Sequence, residues 1–106
     1  MKIEKFYDKG LDNASYAILN RGKVALVDPG RNPQPYYAFA DAFDAEIVAV
    51  IETHPHADFV SSHLEIARET GATIYVSKLV GADFPHSTFD EGDEISLGDA
   101  RLIAMN

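Results

Sequence analysis

The sequence predicts an α/β layered domain, and three observations carry that prediction. The stretch "EIVAVIET" is apolar at every position from 47 to 51, the pattern of a strand buried on both faces. On either side of it, apolar residues recur at helical spacing. Ahead of these, the runs "SYAILN" and "KVALVD" are separated by turn residues around Asn20 and Gly22, which reads as a hairpin and makes the first half an antiparallel meander.

The elements follow in order. "DPGRNP" interrupts the second strand. In "PQPYYAFADAFDA" the residues Tyr36, Phe39, Ala40 and Phe43 fall on one helical stripe, with Asn32 and Pro33 as cap and first turn. All three aromatics of that stripe are expected in the core. The 47–51 strand comes next. Beyond the histidine-containing stretch, Val60, His63, Leu64 and Ala67 recur at helical spacing up to Gly71, a residue suited to closing a helix. "TIYVS" is a further short strand. "DEISLGDARLIAM" reads as two strands joined at Gly98 and Asp99. Strand, helix, strand, helix, strand is the alternation of an α/β layered fold.

Composition excludes several classes of function. A chain of 106 residues fits one domain with a modest core, and 46% hydrophobic against 25% charged residues is a globular balance. The net charge of −8, from 17 acidic and 9 basic side chains, and the lack of any Lys/Arg cluster argue against nucleic acid and anionic membranes as partners. There is no cysteine, so any metal must be held by imidazole and carboxylate. "MKIEKFYDKG" has no apolar run of signal-peptide length, and no later segment is long and apolar enough to span a bilayer. A cytoplasmic protein is the expectation.

The stretch "IETHPHADFVSSHLE" carries the chemistry. His54, His56 and Asp58 stand at alternate positions after the most apolar strand and before a helix, where ligands of α/β sheets gather. Pro55 disfavours helical backbone at His54 and keeps the segment extended. In an extended chain both imidazoles project to one side; on a helix the same spacing splays them roughly 200° apart. Asp58 has three roles open to it: capping the following helix, accepting a bond from an imidazole, or binding a metal. The plain alternative is a turn that happens to hold two histidines. His63, on the apolar stripe of its helix, is expected in the core or on the helix face, His86 in an exposed loop, and Asp28 in "VDPG" as a turn former on the same sheet edge.

"THPHADF", residues 53–59, resembles the first metal-binding motif of the metallo-β-lactamase superfamily, in which a strand ends at Thr-His-x-His-x-Asp-His and a helix follows. The order around it agrees: a hairpin ending in "VDPG", a helix, the apolar strand, the motif, then "SSHLEIARETGATIYVS" and "GDEISLG". Within the superfamily, "HADFVSSHLE" is most similar to the persulfide dioxygenase and rhodanese-associated branch, with glyoxalase II as a hydrolytic relative. The resemblance implies the N-terminal half of an αββα sandwich, a mixed sheet with helices on one face. On that reading residues 1–106 form a single partial domain that stops short of the family's Thr-Pro-Gly-His motif and later ligands. It also implies His54, His56 and Asp58 as metal-site residues, with Asp58 the catalytic acidic group.

The motif departs from the family at Phe59, which stands where the last histidine serves a second metal. Three functions follow. The first is a mononuclear non-haem iron persulfide dioxygenase acting on a small thiol or glutathione-derived substrate with O₂, with Fe(II) as cofactor and Zn(II) as the alternative. The second is a glyoxalase II-like thioester hydrolase with a binuclear site and a metal-activated water. The third is that the 106-residue chain itself is non-catalytic, an assembly module whose uncovered sheet meets a missing C-terminal half or another copy of the chain.

Overall fold

The computed structural model describes residues 1–8, 13–52, 63–77, 87–89, 94–97 and 100–103. A mixed six-stranded sheet runs in the order β1 (Lys2–Asp8), β2 (Asn13–Asn20), β3 (Lys23–Val27), β4 (Glu46–Glu52), β5 (Thr73–Ser77), β6 (Ser87–Phe89). The first three strands are antiparallel neighbours and the last four are parallel. Helix α1 (Gln34–Ala42) connects β3 to β4, and α2 (His63–Thr70) precedes β5. A second sheet pairs β7 (Glu94–Leu97) with β8 (Ala100–Ile103), Leu97 opposite Ala100; positions 98 and 99, the expected turn, lie outside the described residues.

Local chemistry accounts for the joints. Arg21 (φ 52°) and Gly22 (φ 75°) are both left-handed between the paired Asn20 and Lys23, the conformation whose twist matches a tight hairpin. Helix α1 ends with Asp44 at φ 50°, while the Ala45 N–H donates to the Ala40 carbonyl (2.8 Å) and the Asp44 N–H to that of Asp41 (3.1 Å), satisfying the last turn. Gly71, at φ 77°, closes α2 as expected, its N–H donating to the Ala67 carbonyl. At the start of α1 the cap position is Pro33, which has no side-chain bond to give, and Asn32 Oδ1 accepts from the Gln34 N–H instead.

Both helices cover one face of the sheet. Ala17, Val24, Leu26, Ile47 and Val50 pack there against Tyr36, Phe39, Ala40 and Ile66. Fully burying a side chain such as Leu26 or Ile66 contributes about 1.5–3 kcal/mol. On the opposite face Ala25, Ala49 and Ile51 meet Leu97 of β7. Ile47 and Val50 share one cluster although strict alternation separates them, because the β3–β4 register shifts between Val24 and Ala25. Among the described residues no helix is long and apolar enough to cross a membrane.

Several expectations are corrected. β1 is a strand absent from the expected elements, since Lys2, Glu4 and Lys5 interrupt its apolar residues; β6 takes in Ser87 and Thr88, which the sequence places with His86 in the loop "DFPHST". Phe43 is not core: it follows the last turn of α1, 46% exposed, with Lys2 Nζ 5.7 Å from its ring centroid. In α2 the buried residues are His63 and Ile66, while Leu64 is exposed.

Candidate metal centre

The parallel pairing of β3 and β4 brings their C-terminal ends to one sheet edge. After β3 the chain turns through Asp28, Pro29 and Gly30, all buried. Asp28 adopts a left-handed backbone (φ 50°), which aspartate tolerates better than most residues, and its N–H donates to the Ile51 carbonyl at 2.8 Å. The turn is held from two elements at once. The Tyr36 hydroxyl of α1 accepts from the Gly30 N–H at 2.6 Å and lies 2.7 Å from the Ser15 hydroxyl of β2. Asp28 is thus the turn former expected from "VDPG", at the edge where the strand before the histidines ends.

Glu52 closes β4 and His63 opens α2. His63 Nδ1 donates to Glu52 Oε1 at 2.9 Å, with the two side chains 1% and 3% exposed. Glu52 pairs in register with Val76, and Val50, Val76 and Ile66 are buried close by in sequence or register, so this polar contact belongs to the helix-covered side of the sheet. His63 is a core residue, as its place on the apolar stripe suggested. Its acidic partner escaped sequence reading. The available signal was an acidic residue ending an apolar run, followed by a histidine on the buried stripe of the next helix.

His54, His56 and Asp58, with Phe59, lie between these two anchors in the segment 53–62, outside the described residues, as does His86. The flanks agree with the expected placement, a strand ending at Glu52 and a helix under way by His63. Among the described residues no three His, Cys, Asp or Glu side chains gather to hold a metal. The donor set of the intervening segment, two imidazoles and a carboxylate with no thiolate in the chain, fits a first-row transition metal.

A cavity of about 470 Å³ lies elsewhere. It is lined by Tyr37, Asp41, Glu46, Ile47, Glu69 and Thr70 among others. At about 3.3 Å per strand residue, Glu46 and Glu52 are separated by roughly 20 Å, so this cavity is remote from the Glu52 end of β4.

A family model described as the metallo-beta-lactamase superfamily matches residues 9–100. Among curated relatives, a probable metallo-hydrolase of Streptococcus pyogenes is 32% identical over 80 residues, 74% of this chain and 34% of its own length. The hydroxyacylglutathione hydrolase of Methylobacillus flagellatus is 27% identical over 86 residues, 81% of this chain and 34% of its own. A metallo-beta-lactamase crystal structure from Staphylococcus aureus superposes with a TM-score of 0.86 at 32% identity, covering 96% of this chain and 32% of that one. The chain therefore spans about a third of the length of these three relatives. The fold is the N-terminal part of the one those relatives share, and the chain belongs to the metallo-beta-lactamase superfamily.

Proposed function

We propose that this domain contributes His54, His56 and Asp58 to a one-metal centre of an enzyme acting on a small glutathione-derived thiol compound, in the manner of a mononuclear non-haem iron persulfide dioxygenase. Phe59 carries the proposal. An apolar ring stands where the family motif places the histidine of a second metal, and a dication left with Asp58 and little else keeps its desolvation cost without a principal ligand. His54 and His56 are intact. Iron, when bound, supplies redox chemistry and open coordination positions for two substrates. The chain's own residues hold it: the imidazoles as ligands, and Asp58 either as a further ligand or as the group that receives an imidazole N–H and fixes its orientation.

A second reading is a thioester hydrolase, favoured by the similarity to the hydroxyacylglutathione hydrolase of M. flagellatus. On either reading we assign the remaining ligands and substrate-binding groups to the part of those relatives' length that this chain does not match. The sheet face opposite the helices, where Tyr7 is 57% and Ile3 62% exposed, then meets a further half of the protein or another copy of the chain. The 106 residues alone should bind metal weakly and turn over neither substrate.

The test is metal content and turnover of the full-length protein, expressed with iron and then with excess zinc. About one ion per chain in both cases, with O₂ uptake on glutathione persulfide, supports the one-metal oxygenase. Two ions per chain with hydrolysis of hydroxyacylglutathione would sink it in favour of the second reading.

A further inference from the structure

We propose that the outer edge of β1 pairs antiparallel with the same strand of a second copy of the chain, about a two-fold axis at Ile3. Among the described residues β1 ends the sheet, with β2 as its one neighbour. Such an edge carries a row of backbone N–H and C=O groups able to template a further strand. Exposed apolar side chains gather beside it. Met1 and Ile3 lie at its start, Tyr7 near its end, and Phe43 against Lys2; they are four of the six large hydrophobic residues exposed among those described.

The charges along β1 select both the partner and the register. Phe6 packs edge-on against Tyr36 and Phe39, so Lys2, Glu4 and Phe6 share the helix-covered face and Ile3 and Lys5 the other. When a strand pairs with its own copy about a two-fold axis, the residue on the axis meets itself and the residues flanking it meet each other. An axis at Lys2, Glu4, Lys5 or Asp8 therefore sets a charge against its like, which destabilises the pair. At Phe6 the axis puts Glu4 opposite Asp8, and at Tyr7 it matches positions 5 and 9, both lysine. Ile3 alone avoids this. With the axis there, Lys2 of each copy faces Glu4 of the other, twice, and the two exposed Ile3 side chains cover one another. The pairing extends the sheet sideways, so it is independent of the metal centre proposed above. About five residues a side make a small interface, and the dimer is correspondingly weak and concentration-dependent.

The test is sedimentation equilibrium of the full-length protein over a concentration series of roughly 1 to 500 μM, with the thermal midpoint as a separate measure of folding. The parent should pass from monomer to dimer within that series. Lys2→Glu sets carboxylate against carboxylate twice across the axis, and Glu4→Lys sets ammonium against ammonium. Each should weaken the dimer about tenfold or more at low salt. Lys2→Glu combined with Glu4→Lys exchanges the charges and should restore association, although the Lys2 contact with Phe43 stays lost. Ile3→Lys places a charge on the axis and should leave a folded monomer with the parental thermal midpoint, since Ile3 is exposed. A parent that is monomeric throughout overturns the proposal. So does a dimer that the single exchanges leave intact, or a double exchange no better than the singles. An Ile3→Lys protein that is destabilised shows the edge covered by another part of its own chain, and that also overturns it.

Discussion

The two ends of β4 make nearly the same contact in opposite surroundings. At its start Glu46 accepts from Lys23 Nζ at 2.9 Å, with the side chains 64% and 44% exposed; at its end Glu52 accepts from His63 at 2.9 Å, and both are buried. Distance does not distinguish them, whereas solvent does. Water screens the first pair and hydrates its partners once they separate. At the second, either group left alone loses its partner without regaining its water. The end with the exposed pair adjoins an open cavity and the hairpin of Arg21 and Gly22, where the Glu46 N–H donates to the Gly22 carbonyl. The other end adjoins the Asp28 turn and the metal-motif segment.

The largest effect expected from that contrast is on stability. Glu52→Ala leaves a buried His63 N–H without its acceptor and should cost about 2–3 kcal/mol in urea unfolding, whereas Glu46→Ala should cost less than about 1 kcal/mol. Comparable costs for the two would mean that burial is not what separates the ends of the strand.

Adjacent tyrosines repeat the comparison on a smaller scale. Tyr36 is buried and its hydroxyl joins Gly30 and Ser15 beside the Asp28 turn; Tyr37 points to Glu69 at the far end. Tyr36→Phe removes the acceptor of the Gly30 N–H inside the protein and should cost about 1–3 kcal/mol. The Phe6 ring, 5.0 Å from that of Tyr36 and edge-on to it, remains packed against the variant, so the loss isolates the hydroxyl. A change below about 0.5 kcal/mol would show that water replaces the hydroxyl and that the turn is more open than its burial indicates.

How much of this was legible in the sequence differs in the same way between the ends. The apolar run at 47–51 announced a buried strand, and Gly71 announced the end of α2. Register was not readable, because a run apolar at every position carries no alternation to show the shift beside Val24 that puts Ile47 and Val50 on one face. β1 was hidden since an edge strand half in water tolerates charge at Lys2, Glu4 and Lys5. Phe43 was misplaced because helical spacing continues past the residue where the helix itself stops. In the candidate site, motif residues were named by pattern alone, but the Glu52–His63 pair depends on a tertiary contact between a strand end and a helix start.

The smallest expected effect concerns Tyr37 and is a matter of pH. Burial, then the Glu69 carboxylate that accepts from its hydroxyl at 2.5 Å, holds the phenol in its neutral form and raises its pKa well above the ordinary tyrosine value near 10. The folded protein therefore keeps this proton at a pH where the unfolded chain has released it. The stability the interaction contributes is fully present below about pH 10 and is lost as pH climbs from there toward the raised folded value. At neutral pH, Tyr37→Phe should cost about 0.5 kcal/mol, since the bond lies at the protein surface and water competes for both partners. Between about pH 9 and 11 the parent's advantage should shrink, because only the parent can gain by unfolding and ionising at this position. Groups that titrate alike in both proteins cancel in the difference, so parallel urea titrations report Tyr37 alone. A difference that stays constant across that range would mean that Glu69 does not hold the phenol in solution, and the far end of the sheet would then contribute still less than its geometry implies.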